Sequence, residues 1–196
     1  MKGEKPVRVI SGSARGKRLK APRGMSTRPI TDMIKEALFN VIGDHIRGAH
    51  VLDLFAGSGS VGIEALSRGA QKAVFVDSSK EAIQVIKENL NSCGFLGKYE
   101  IYRNDVFRAI EFINKNQAVF NIIFIDPPFT NDKIILPVLE AVDNTQLLNI
   151  NGRLIIRTPK NYALPAKLQR AELMRTSRYG ESTLYYYGYN EEVRSI

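Results

Sequence analysis

The 196-residue chain has one cysteine, no tryptophan and two histidines. Each scarcity excludes something. Cys93 alone cannot form an internal disulfide, and a cysteine-built metal site is excluded with it. It reads as a small core residue or a helix-end residue. His45 and His50 are too few to suggest zinc catalysis, so no metal is expected. No apolar run approaches the roughly 20 residues that span a bilayer, and the opening MKGEKPVRV does not resemble a signal peptide. A membrane role is therefore not expected, and a reducing, cytoplasmic setting is. Hydrophobic residues make up 44% and charged residues 24% of a chain long enough for one domain with a good core.

Acid is scarce in one place. The net charge is +8, and residues 1–28 hold nine basic residues against the single acid Glu4. That segment carries the whole excess, because the remainder has 19 basic and 19 acidic residues. Such asymmetry points to a polyanionic partner; a solubilising tail is the plain alternative. Val7, Val9 and Leu19 flank ISGSARGKR, which predicts two short strands around a Gly/Ser turn. Arg15, Lys17 and Arg18 would share one edge of that hairpin. Arg28 stands at the entrance of the next helix as a further RNA candidate. The predicted division is a basic arm for RNA over 1–28 and a catalytic domain over 29–196.

What the chain does have is VLDLFAGSGSVGIEAL, from Val51 to Leu66. An apolar strand runs into Gly57, Ser58 and Gly59, and a helical pattern follows, the opening of a doubly wound α/β sheet. Glycines let the backbone approach a ligand closely, and the N–H groups of the helix start are expected to face it. Two cofactors compete. Gly57, Gly59 and Gly62 match G-x-G-x-x-G, with Asp77 about 20 residues on, the dinucleotide fingerprint. S-adenosylmethionine (AdoMet) is the other. Asp53 favours it: a carboxylate beside the turn repels a pyrophosphate and suits an ammonium and a sulfonium.

The elements around this turn follow from periodicity. Thr31 should cap a helix ending at Gly43, with Met33, Ile34, Ala37, Leu38, Val41 and Ile42 as its apolar stripe. Ala73 to Val76 is a buried strand ending in Asp77, which can accept ribose hydroxyls. Ser78 and Glu81 form a capping box for a helix closed by Gly94. Tyr99 to Arg103 is the third strand; Asp105 after it either meets an adenine amino group or caps the next helix. Pro137 should kink a helix within Asp132 to Val142 or start one there. Gly152 to Thr158 is the fifth strand. Leu173 to Ser177 and Thr183 to Tyr189 make an antiparallel hairpin, whose Tyr185, Tyr186 and Tyr187 should alternate between core and solvent.

The second chemical stretch is NIIFIDPPF. Ile122 to Ile125 is a fully apolar central strand running into Asp126, Pro127, Pro128 and Phe129. Two prolines stiffen the loop and remove two donors, leaving carbonyls and a carboxylate. That surface suits an amino group with two hydrogens to donate, and Phe129 offers a stacking face for a base.

These stretches carry a resemblance. DPPF is similar to motif IV of class I methyltransferases acting on exocyclic or amide nitrogens, and VLDLFAGSGSVGIEAL to their motif I. With VISGSARGKRLKAP and TRPITDMIKEALFNVIG, the chain from about Val9 to Tyr187 resembles the RsmD family of bacterial 16S ribosomal RNA guanine-N2 methyltransferases. The resemblance implies a Rossmann-like class I fold. Its seven-stranded, mostly parallel sheet would carry a C-terminal antiparallel hairpin and an N-terminal basic β-hairpin. It implies AdoMet held by Asp53, Phe55, Gly57, Ser58, Gly59, Asp77, Ser78, Asp105 and Val106, and guanine held by Asp126 to Phe129. Phe129 departs from the tyrosine of many relatives, which keeps stacking but not a phenolic role. The implied partner is 16S RNA, in an assembling small subunit or naked, with the enzyme a monomer. The rivals are an adenine-N6 DNA methyltransferase, an NAD-dependent oxidoreductase and a non-catalytic RNA-binding protein.

Overall fold

A computed structural model describes residues 7–22 and 30–189; Arg28 lies outside the described residues. Seven strands form one sheet: β1 (His50–Leu54), β2 (Lys72–Asp77), β3 (Tyr99–Arg103), β4 (Phe120–Ile125), β5 (Leu148–Pro159), β6 (Glu172–Tyr179) and β7 (Ser182–Gly188). Their order is β3-β2-β1-β4-β5-β7-β6, parallel through β5 and antiparallel at β7 and β6. The expected mostly parallel sheet with a terminal hairpin is what the chain forms.

Side chains alternate across each strand, so the sheet sorts its apolar residues into two cores. Val51, Ala73, Phe75, Ile122, Phe124, Ile155 and Tyr186 face α1 (Asp32–Ile42), α2 (Ser60–Ser67) and α3 (Lys80–Cys93). Leu52, Val74, Ile123, Ile125, Ile156, Tyr185 and Tyr187 face α4 (Val106–Lys115) and α5 (Ile135–Asp143). Tyr185, Tyr186 and Tyr187 are therefore all buried. The expected exposed half is absent because β7 lies inside the sheet, between β5 and β6, with apolar cover on both faces.

Two local expectations shift. Thr31 caps α1 as expected, accepting the Ile34 N–H. The buried stripe, however, is Ile34, Lys35, Leu38, Phe39 and Ile42, while Met33 is 59% exposed. The helix is rotated toward a polar anchor that hydropathy does not register. The cap of α3 is Ser79, whose hydroxyl accepts the Ala82 N–H, rather than Ser78. Asp77 takes the Ser79 N–H and so delays the helix by one residue. Pro137 sits in the first turn of α5, where a missing N–H costs nothing.

The basic segment folds onto the helices. Val7 and Val9 exchange backbone hydrogen bonds with Gly16, Lys17 and Leu19 across a turn, and in place of the two expected short strands there is one isolated antiparallel bridge between Arg8 and Arg18. Val9, Ala14 and Leu19 enter the α1-side core. The anchor is Glu64 on α2. Its carboxylate accepts the N–H groups of Ile10 at 2.7 Å and Ser11 at 3.0 Å, and Arg68 Nε at 2.8 Å. Lys35 Nζ lies 3.6 Å away and donates to the Arg8 carbonyl at 2.6 Å; neither Lys35 nor Glu64 has exposed side chain. Burial pulls the Lys35 amine below its ordinary value, against the charges of Glu64 and Asp32.

Breaking such a pair from one side leaves a buried charge without its counterion. Glu64→Gln should cost about 3–5 kcal/mol, read as a lower urea midpoint, and Glu64→Gln with Lys35→Met should cost less than Glu64→Gln alone.

Candidate active site

The strand order reverses between β1 and β4, and in such sheets the crevice lies beyond the carboxyl ends of these strands. Strand periodicity fills it with charge. Asp53 shares a face with Val51, Asp77 with Phe75, and Arg157 with Ile155; Asp126 follows β4 in the same phase. One acid from each of β1, β2 and β4, and one base from β5, thus gather at one end of the α1-side face.

The glycine turn is tied to two of these acids. Asp77 Oδ2 accepts the Gly57 N–H at 2.8 Å and Asp53 Oδ2 the Gly62 N–H at 3.0 Å. The Gly59 N–H goes to the Ala56 carbonyl at 2.7 Å. Of the donors at the start of α2, the Gly62 N–H is spent inside the protein, as are the Gly57 and Gly59 N–H groups of the turn before it. Two glycines have steric reasons. Gly59 caps α2 with φ of 74°, and a Cβ on Gly62 would lie 2.3 Å from the Phe75 ring. Phe55 takes φ of 62°, an outlier for an aromatic residue and a mark of a constrained functional turn.

Asp53 is buried, and its carboxyl stands well above the usual range. Burial is the main cause, the Gly62 bond opposes it, and the charges of Asp126 and Asp77 add to it. Asp105 takes the alternative left open for it: Oδ1 accepts the Phe107 and Arg108 N–H groups as the cap of α4. Val106 is buried in the α4-side core. Ser58 is half-buried and its carbonyl accepts from Asn89 Nδ2 at 2.9 Å. Ser78 is exposed beside Asp77.

Asn89 was not singled out by sequence. It also exchanges two bonds with the Lys20 backbone, so one buried amide joins the basic segment to the glycine turn. Arg15, Lys17 and Arg18 are exposed and make no ion pair among the described residues, whereas Arg8 and Lys20 pair with Asp32 and Glu88.

The DPPF loop is held by a second residue that sequence reasoning missed. Arg157 Nε donates to Asp126 Oδ1 at 2.7 Å, and its guanidinium lies 4.9 Å from the centroid of the Phe129 ring. Both charged groups are largely buried, at 5% and 16% exposure. Burial pushes Asp126 above the usual carboxylate range while the Arg157 charge and hydrogen bond pull it back. Pro127 is buried, and Pro128 and Phe129 are partly exposed beside it. The signal for Arg157 was a charge directly after the apolar run Leu154 to Ile156, near the end of the strand GRLIIRTP.

Because Asp53 binds its proton more tightly folded than unfolded, its contribution makes stability fall as pH rises above its ordinary 3.8. Asp53→Asn keeps an acceptor for Gly62 and removes that slope. It should raise Tm at neutral pH, and Tm at several pH values should flatten relative to the parent.

A family model described as conserved hypothetical protein 95 matches residues 7–188. The chain is 42% identical over 174 residues to the "Putative rRNA methyltransferase YlbH" of Bacillus subtilis, spanning 89% of this chain and 94% of that one. It is 38% identical over 130 residues to the ribosomal RNA small subunit methyltransferase D of Haemophilus influenzae, spanning 65% of each. Among solved structures, the "Putative methyltransferase yhhF" of Escherichia coli superposes with a TM-score of 0.81 at 28% identity, covering 95% of this chain and 99% of that one. The sheet order, the glycine turn after β1 and the DPPF loop after β4 are thus those of a Rossmann-like class I methyltransferase. The chain belongs to the conserved hypothetical protein 95 family, the RsmD family that its motifs resemble.

Proposed function

We propose that the chain uses AdoMet to methylate N2 of a guanine in small-subunit ribosomal RNA. The observation that carries the cofactor choice is the gathering of three carboxylates, Asp53, Asp77 and Asp126, around the turn. That environment rejects a dinucleotide's pyrophosphate and accepts a cationic, phosphate-free ligand. AdoMet, when bound, supplies a methyl group on a good leaving group. The substrate class is supported by the relatives' names and by the basic hairpin.

Asp77 is the acceptor for ribose hydroxyls and Asp53 sets the negative field beside the turn. Phe55 and Ser58 shape the turn, and Ser78 and the start of α4 at Asp105 and Val106 border it. Asp126 and the Pro127 carbonyl accept the two hydrogens of a guanine amino group, drawing its delocalised lone pair toward the methyl group. The amine must lose a proton on methylation, and Asp126, made more basic by burial, is suited to take it. Phe129 stacks on the base, which must leave any stack or pair to reach the loop. Arg157 is a positioning residue that holds Asp126 and Phe129 in register. Alignment and a preformed field supply the acceleration. Arg15, Lys17, Arg18 and Arg28 contact phosphates, residues 1–28 serve RNA and 29–196 catalysis, and the setting is cytoplasmic.

Asp77→Ala should weaken AdoMet about tenfold to a hundredfold by calorimetry, the loss of a bond to a charged group; unchanged affinity would reject the ribose assignment. Asp126→Ala and Phe129→Ala should remove most methyl transfer to rRNA and leave AdoMet binding intact, while Phe129→Tyr is tolerated. Replacing Arg15, Lys17 and Arg18 by Ala should flatten the log–log salt dependence of RNA binding by about 0.7–0.9 per lost phosphate contact. Equal, parallel lines would make the hairpin a solvated surface. Mass mapping of the methylated nucleotide decides between guanine N2 and any other position.

A further inference from the structure

The α1-side face holds a second group of cations away from the active-site acids. Arg153 precedes Arg157 by four residues, about 13 Å along an extended strand. A cavity of about 200 Å³ opens there, lined by His45 after α1, by Arg153 of β5, by Met174 and Arg175 of β6 and by Tyr186 of β7.

Strand register explains the convergence. Tyr186 pairs with Ile155 on one side and with Arg175 on the other. Directly paired residues share a face, and so do residues two apart in one strand. Arg153, Ile155, Tyr186 and Arg175 therefore all look toward α1. Arg175 reaches this face only through a bulge, because the β6–β7 register shifts between Leu173 and Arg175. In regular register Arg175 would oppose Tyr185 and face the other core. Bulges recur where a strand has to re-aim a side chain.

Tyr186 supplies an independent observation. It is 2% exposed, and its hydroxyl has no hydrogen-bond partner among the described residues. Tyr185 and Tyr187 beside it donate to the carbonyls of Tyr162 and Pro165 at 2.8 Å each. Buried polar atoms are so regularly paired that an orphan calls for a partner from outside. Burial, helped by Tyr179 and opposed by the Arg175 charge, keeps this phenol protonated and hence a donor. Arg175 Nε is steadied by the Ser177 hydroxyl, and Arg153 by the Gly152 carbonyl. Asp44, the acid next to His45, is turned to solvent beside Arg47.

The Arg175 guanidinium and the unpartnered phenol O–H, with Arg153 adding positive charge, ask for a ligand that accepts and is negative. Guanidinium geometry matches a phosphate. We propose that this cavity is a phosphate site, occupied by a backbone phosphate of the RNA substrate at a distance from the basic hairpin; the RNA half of this rests on the function proposed above.

Tyr186→Phe removes one oxygen and is the decisive variant. A purely structural tyrosine would lose nothing, since deleting an unpaired buried hydroxyl is neutral or stabilising. The phosphate site predicts an unchanged or higher Tm together with rRNA affinity lower by about threefold to tenfold, the worth of one hydrogen bond. Arg175→Ala should lower rRNA affinity and reduce the log–log salt slope by about 0.7–0.9. Inorganic phosphate separates the sources. If it raises the Tm of the parent chain and not of Tyr186→Phe, while rRNA affinity is equal in all three proteins, the cavity takes free phosphate and its RNA role is overturned. Equal rRNA affinity with equal phosphate response in all three overturns the site. If the parent chain does not bind rRNA, the function proposed above fails, and the phosphate comparison still decides the cavity.

Discussion

A carboxylate with no contact to water has to be satisfied by the protein, and Glu64 is satisfied by three different parts of the chain. It takes two backbone N–H groups from the basic segment, Arg68 from the end of its own helix and the buried Lys35 from α1. Every one of these contacts is long in sequence except that of Arg68. Glu64 therefore fixes how α1, α2 and residues 7–22 sit together, and α2 in turn carries the glycine turn at its start. Arg68 extends the arrangement by lying 4.8 Å from the Phe39 ring centroid. The same anchor explains why α1 is rotated from its hydropathic stripe: Lys35 must point inward to meet Glu64.

The basic segment is consequently part of the core while its cations stay outside. Val9, Ala14 and Leu19 are buried, and Arg15, Lys17 and Arg18 are exposed. Gly12 rests on the end of α2 so closely that a Cβ would overlap the Ser67 carbonyl. A rigid display of charge loses less conformational freedom on meeting a polyanion than a flexible tail. Asn89 then connects this surface to the glycine turn through buried hydrogen bonds.

The active-site end concentrates cost. Asp53 and Asp126 are both pushed up by burial, and Phe55 has a backbone conformation that an aromatic residue seldom takes. Such features persist only when the surroundings overdetermine them. Here they are held by the Gly62 N–H, by Arg157 and by the paired strands beneath.

Much of this was legible along the chain. Strands β1 to β4, the Thr31 cap, the Gly94 stop and the DPPF loop follow from local periodicity and backbone stereochemistry, which act over a few residues. Local signals also placed acids at strand ends, because a strand's length and phase set which residue emerges last. The sequence alone could not say which face those residues share with residues far away. Arg157 reaches Asp126 because β5 lies beside β4; Lys35 turns inward because Glu64 is there; Tyr185 to Tyr187 are all buried because β7 is an inner strand. The spending of the Gly57 N–H likewise depends on Asp77 arriving from the neighbouring strand β2. Sequence determined the elements and the chemistry at their ends, since these are short-range properties. Tertiary structure decided the partners of each buried charge, since a charge taken out of water is stable only where the folded chain brings it another.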